Sequence, residues 1–203
     1  MPVRYFKKGI RALGVAECFY KGLSRRSVLA GVVMRADLLV DGFSFSTATV
    51  GGLDATKAVV ELYERLRRRD VNLIMLNGCV ISWYNVVDLH EVAEATGRPL
   101  ICVTYEPSPG LEPYFKRYFP GDWPERLAIY ERNGPRVPVK LRTGHRVFIR
   151  AVGLEEEEAL KVLDRFTLHG AVPEPLRVAR LLARSVLSSL GELSGAVASG
   201  AAR

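Results

Sequence analysis

Two apolar patterns alternate along the chain and lay out its elements. Residues 73–76, Leu-Ile-Met-Leu, form an unbroken apolar run that Val71 precedes. This is the pattern of a strand covered on both faces of its sheet. The run stops at Asn77-Gly78, where the backbone must turn. Upstream, residues 11–19, 28–34 and 38–46 read as strands joined by short polar segments, which predicts an antiparallel meander. Downstream, residues 100–105 read as a further strand. Between these strands the spacing becomes helical. Val59, Leu62, Tyr63 and Leu66 recur at helical intervals, predicting a helix over 55–69 with Asp54 as its N-cap. A second amphipathic helix is predicted over 85–95. Strand–helix–strand–helix–strand with short links implies parallel pairing and right-handed crossovers.

The remainder is patterned more weakly. A short helix is expected over 111–118, irregular chain over 119–124, and strands over 127–131, 137–141 and 146–151. Turns are expected at Asn133-Gly134 and Thr143-Gly144. The acidic run Glu155 to Glu158 suits the N-terminus of a helix over 154–166. Pro173-Glu174-Pro175 leads into a last helix over 176–190, and the Gly/Ala/Ser-rich residues 191–203 read as a flexible tail. The expected organisation is one α/β domain over 1–190 followed by that tail.

Composition narrows the partners. The chain has 203 residues, is 48% hydrophobic and carries a net charge of +7, with a pI near 9.5. An excess of this kind favours polyanions through long-range steering. No apolar run is long enough to span a bilayer, and the basic residues 1–8 lack the apolar stretch of a signal peptide. Cys18, Cys79 and Cys102 are few, widely spaced and odd in number, which fits reduced thiols in a cytoplasmic protein. A homo-oligomer is left open.

Three strands, a helix, a strand, a helix and a strand, in that order, is the ribonuclease H-like arrangement. Within it the chain resembles an uncharacterised archaeal family, domain of unknown function ninety-nine. The resemblance is carried by Leu-Ala-Gly-Val-Val-Met-Arg at 29–35, Val-Gly-Gly-Leu-Asp-Ala-Thr at 50–56 and Pro-Glu-Pro-Leu-Arg-Val-Ala at 173–179. The last of these lies within the sharpest matching stretch, residues 165–180. That family is in turn similar to endonuclease V, a metal-dependent nuclease that cuts near deaminated purines. The resemblance implies a mixed sheet of endonuclease V type, a nucleic-acid partner and a site at the end of the 73–76 strand.

Carried over residue by residue, the nuclease's ligand set is largely replaced. Its first-strand Asp falls on Ala16, with Glu17 next to it. Its helix glutamate falls on Lys57, its Asp-Gly on Asn77-Gly78, its strand-end lysine on Tyr105, and the polar residue ending its Pro-Glu-Pro segment on Arg180. Two-metal phosphodiester cleavage needs several convergent carboxylates. Lys57 and Arg180 instead bring positive charge, which disfavours a dication and suits an anion.

The candidate catalytic residues are therefore Glu17, Asp54 and Asn77. The candidate phosphate or nucleic-acid contacts are Lys57, Arg180, Arg177, Tyr105, Trp83, Lys21, Arg25 and Arg26. Trp83-Tyr84 beside these cations has the chemistry for base stacking, although such a pair also closes cores and interfaces. A relocated metal site at Asp37, Asp41 and Asp88 is weighed against turn, cap and surface-pair roles. His90, His145 and His169 show no ligand spacing, and Ser24, Ser44 and Ser82 have no recognisable base.

No cofactor is expected, with Mg²⁺ required only if the nuclease reading holds. The leading expectation is a nucleic-acid- or nucleotide-phosphate-binding protein with a degenerate, inactive nuclease site. The alternatives are an active metal-dependent endonuclease with shifted carboxylates and a non-catalytic interaction scaffold.

Overall fold

The computed structural model describes residues 9–200, and side chains over 9–190. The basic segment 1–8 and residues 201–203 of the expected tail lie outside the described residues.

Three strands open the fold: β1 (Arg11–Cys18), β2 (Arg26–Arg35) and β3 (Val40–Thr49). They pair as the expected antiparallel meander. α1 (Ala55–Arg65) leads to β4 (Leu73–Asn77). After a small hairpin, β5 (Val80–Ile81) with β6 (Asn85–Val86), come α2 (Leu89–Thr96) and β7 (Leu100–Thr104). α3 (Glu112–Tyr118), α4 (Trp123–Arg132), β8 (Val137–Lys140), β9 (Arg146–Val152), α5 (Glu156–Phe166) and α6 (Glu174–Gly200) complete it.

The main sheet has seven strands in the order β3-β2-β1-β4-β7-β9-β8. β4 is parallel to both β1 and β7, and β9 pairs antiparallel with β7 and β8. Alternation along β1 divides the core. Ala12 and Ala16 face the layer holding Leu163, Phe166, Leu176 and Ala179 of α5 and α6. Leu13 and Val15 face Val59, Leu62, Leu89 and Val92 of α1 and α2. β4 is buried on both sides, as its unbroken apolar run requires. Gly14 lets α6 come close: a Cβ there would lie 2.5 Å from the Pro175 backbone.

Four expectations change. Residues 127–131 are helical, in α4, rather than a strand, and α4 also takes in part of the segment expected to be irregular. Pro124 suits the first turn of a helix, and the completely buried Arg126 reaches back to Asp122 at 2.8 Å. The helix expected from Asn85 begins at Leu89, because Asn85 is committed elsewhere: it accepts from the Ala55 N–H and donates to the Thr49 carbonyl and the Asp54 carboxylate. Asp88 caps α2 instead, accepting from the N–H groups of His90 and Glu91.

α1 stops before Arg67, whose φ of 50° is left-handed. The last helix continues past the expected end at Leu190 to Gly200. Single glycines among Ala, Leu and Val cost a helix only about 1 kcal/mol each, so the composition of this segment does not by itself end it.

Candidate functional site

β1, β4 and β7 run parallel and end together, and a cavity of about 490 Å³ opens beyond their carboxyl ends. This is where open α/β sheets place ligands. Glu17 near the end of β1, Asn77 at the end of β4, Thr104 at the end of β7 and Tyr105 just beyond it line the cavity. Arg136 from the approach to β8, Arg150 from β9 and Arg180 from α6 complete its polar lining.

Glu17 is held weakly. One carboxylate oxygen accepts from the Ser82 N–H at 3.4 Å, and the other is buried with no partner. Burial pushes the carboxyl above its ordinary range, while the Ser82 N–H and the Arg180 charge oppose that shift. The Tyr105 hydroxyl is likewise buried without a partner, and burial pushes it well up.

The three arginines carry the positive charge of the cavity. Arg136 donates to the Glu106 carbonyl at 2.9 Å and lies over the Phe148 ring. Arg150, only 6% exposed, donates to the Gly134 carbonyl at 2.7 Å and the Cys79 sulfur at 3.3 Å. Its guanidinium is 4.8 Å from the centre of the Tyr130 ring. Arg180 acts on Glu17 and Tyr105 through its charge. Among the described residues none of the three forms an ion pair within 4.0 Å. Arg184 joins Arg180, Glu17, Cys18 and Phe19 around a smaller adjoining recess of about 170 Å³. Cys79 is pulled down to about 7 by a hydrogen bond with Cys102 and by the Arg150 charge, against its own burial.

The sequence candidates fall into separate groups. Glu17, Asn77, Tyr105 and Arg180 meet in the cavity. Lys57 does not: its side chain is 79% exposed, pairs with Glu61, and lines a different cleft with Asp88 and Arg132. Ala55 and Thr56 take the inward positions of that helix turn, which leaves Lys57 outside. Asp54 braces a loop. Burial pushes its carboxyl up, but hydrogen bonds from Thr49 and Asn85 outweigh this and leave it below its ordinary value. Arg177 pairs with Glu174. Arg26 binds Thr47 and Thr49, and the Arg25 carbonyl accepts from the Val50 N–H.

Trp83 belongs to an aromatic cluster beside the cavity. It packs on Tyr84 and Tyr118 at 5.1 and 5.2 Å between ring centres, with the Lys21 ammonium 4.0 Å above its ring. Ser82, Trp83 and Tyr84 are all left-handed, at φ 46°, 61° and 62°. This is costly for residues with side chains. Arg126 fastens the turn from below through the carbonyls of Gly51, Gly52 and Tyr84.

The relocated acidic site does not form. Asp37 pairs with Arg35, Asp41 with Arg11 and Arg68, and Asp88 with Arg132. Among the described residues no three His, Cys, Asp or Glu side chains converge as a metal-binding group. The cavity offers two carboxylates, Glu17 and the exposed Glu106, and one neutral amide facing three guanidinium groups, and the two acids do not converge as a metal-binding group. Hard divalent ions require several oxygen ligands, so these residues do not fit one.

Arg136, Arg150 and Thr104 are the contributors that the sequence did not single out, and Ser82, weighed there only as a nucleophile, contributes its backbone N–H to Glu17. Only Arg150 left a signal, a charge set inside the apolar run 147–151.

The antiparallel meander and the parallel β1–β4–β7 trio, with a cavity at their carboxyl ends, define a ribonuclease H-like fold of endonuclease V type. Residues 8–187 match the family described as endonuclease dU, and the chain belongs to that family. A UPF0215 protein of Pyrobaculum calidifontis is 39% identical over 183 residues, covering 90% of this chain and 100% of that one.

A protein of unknown function from Archaeoglobus fulgidus superposes with a TM-score of 0.75 at 26% identity, covering 88% of this chain and 98% of that one. Endonuclease V of Ciona intestinalis, solved with DNA containing an inosine followed by a ribo-adenosine, has a TM-score of 0.59 at 12% identity. That match covers 90% of this chain and 87% of the other. No described helix is long and apolar enough to cross a membrane.

Proposed function

We propose that the chain binds nucleic acid in the cytoplasm as a single-domain protein, seating a strand phosphate or a nucleotide phosphate among Arg136, Arg150 and Arg180. The observation that carries this reading is the set of three arginines lining one cavity at the strand ends, none of which forms an ion pair within 4.0 Å among the described residues. A guanidinium fork matches the oxygens of a phosphate group. Asn77 and Tyr105 add polar contacts, and Trp83 beside Lys21 adds an aromatic face for a base. The family description points to deoxyuridine as the base in the bound strand. With three cations outnumbering the two acids, Glu17 and Glu106, the site holds its anion without a divalent metal and does not cut the strand.

Fluorescence anisotropy with single-stranded DNA, with and without deoxyuridine or inosine, tests this. Binding is expected to weaken steeply with salt, and Arg180→Ala to weaken it about tenfold and flatten the salt slope by about one phosphate contact. Salt-independent or undetectable binding would overturn the reading in favour of a scaffold.

One observation favours a second reading. The unpartnered Glu17 oxygen lies at the cavity, where an active metal-dependent endonuclease would want a ligand. Strand cleavage that requires Mg²⁺ or Mn²⁺ and disappears in Glu17→Gln would establish that reading instead.

A further inference from the structure

Arg150 poses a problem of charge. It is buried in β9, and burying a guanidinium is expensive unless an opposite charge or a full set of acceptors compensates it. It has the Gly134 carbonyl, the face of Tyr130 and the Cys79 sulfur. No carboxylate pairs with it among the described residues. Of these partners Cys79 is the ionisable group whose own atom accepts a hydrogen bond from the guanidinium. Cys79 follows β4 directly and lines the cavity. Cys102 lies in β7, the strand beside β4, buried in the same core layer as Cys79. The Cys79 sulfur and the Arg150 guanidinium therefore meet at the cavity wall, with Cys102 in the core layer behind them, and neither the anion-binding reading nor the nuclease reading uses the thiols.

We propose that Cys79 and Cys102 form a peroxide-reactive thiol pair, with Cys79 as the attacking sulfur, Arg150 as its counter-ion and Cys102 as the resolving thiol. The substrate class is a small hydroperoxide, which the cavity admits. The Cys79 thiolate attacks the terminal oxygen of the hydroperoxide, the O–O bond breaks, and the departing alkoxide takes a proton from solvent to leave as alcohol. Cys79 is then a sulfenic acid. The Cys102 sulfur attacks it, the S–S bond forms and the S–O bond breaks. The departing hydroxide takes the Cys102 proton and leaves as water. The two thiols lose two electrons and two protons in all, and one hydroperoxide is reduced to alcohol and water.

Cys18 supplies an internal control. It is more exposed than Cys79, so exposure alone would make it react first. Its surroundings point the other way: burial and the Glu17 charge hold its thiol up, against weaker help from Arg184 and Arg180. The thiolate is the reactive form, which places the reactivity at the less exposed residue.

The test treats the fully reduced full-length chain with tert-butyl hydroperoxide near neutral pH and maps the products by peptide mass spectrometry. The expected product has lost two hydrogens and joins Cys79 to Cys102. In Cys102→Ser, dimedone is expected to trap a sulfenic acid at Cys79. Arg150→Met is expected to slow the reaction about tenfold or more. If that variant does not fold, the order of reaction in the unmodified chain decides. Cys79 oxidised ahead of Cys18 supports the pair, and Cys18 oxidised while Cys79 stays reduced overturns it. The readout does not depend on whether the cavity binds phosphate.

Discussion

At Glu17, burial and the neighbouring cations pull in opposite directions, and burial prevails. The carboxyl is pushed above its ordinary value of 4.5, so the folded chain holds the Glu17 proton more tightly than the unfolded chain does. Below about pH 4 both states are protonated and the site costs nothing. As pH rises through the raised folded value, ionisation in a buried setting lowers the stability of the fold. Glu17→Gln removes that cost. The expected outcome is a variant more stable by on the order of 1 kcal/mol near pH 7.5, with the gain fading toward pH 4, read from urea melts at both values. The same variant is expected to bind single-stranded DNA more tightly near neutral pH, because one negative charge leaves the anion site. A loss of binding would argue that Glu17 contacts the ligand directly. Arg150, by contrast, was hard to assign from sequence. A charge inside a strand is visible in Arg-Val-Phe-Ile-Arg-Ala. It donates to the Cys79 sulfur, 71 residues away, and no local pattern reports a partner at that separation.

At the scale of elements, the site depends on how closely α6 approaches β1. Gly14 sets that approach, and Arg180 comes from the helix that follows. A Cβ at position 14 would lie 2.5 Å from the Pro175 carbonyl carbon and 2.6 Å from its oxygen. Backbone cannot rotate away as a side chain can. Gly14→Ala is therefore expected to lose about 1–3 kcal/mol as overpacking moves α6, and to weaken DNA binding as well. Gly121→Ala, where nothing lies within 4 Å, is expected to stay within about 0.5 kcal/mol. Urea denaturation of the two variants makes the comparison.

The elements themselves were unequally legible. β4 and the break at Asn77 could be read directly, because a strand buried on both faces leaves a local apolar run. Residues 127–131 misled, since Leu-Ala-Ile-Tyr is an unbroken apolar run of the kind a buried strand shows. The helical assignment depends on Arg126, whose acceptors in Gly51, Gly52 and Tyr84 are distant in sequence. The hairpin that displaces the start of α2 depends in the same way on Asn85 reaching Thr49, Asp54 and Ala55.

Across the whole molecule, the two ends of the sheet handle charge in opposite ways. At the carboxyl ends of β1 and β4 the arginines face a cavity and, among the described residues, form no ion pair within 4.0 Å. At the amino ends Arg11, Asp41, Arg68 and Asp70 pair with one another: Arg11 meets Asp41 at 2.5 Å, and Arg68 meets Asp41 and Asp70 at 2.8 and 2.7 Å. The first end leaves its positive charge facing the cavity, as the proposed anion site requires, and the second ties β1 and β3 to the segment entering β4. Stability and binding should therefore separate on substitution.

Hydrogen bonding from Arg68 leads the forces that bring Asp70 down to about 2. A carboxyl lowered in the folded state stabilises the fold above its unfolded value near 3.8, and that contribution disappears as pH falls toward 2. Asp70 is 47% exposed, so after solvent screening the contribution is no more than about 1 kcal/mol. Asp70→Asn is expected to lower stability by that amount near pH 6, to match the unmodified chain near pH 2, and to leave DNA binding unchanged. Arg180→Ala is expected to do the reverse, weakening binding with little change in the urea midpoint. Loss of binding in Asp70→Asn would mean that the two ends are coupled through β1 and β4, and that the cavity is shaped by the packing of the whole sheet.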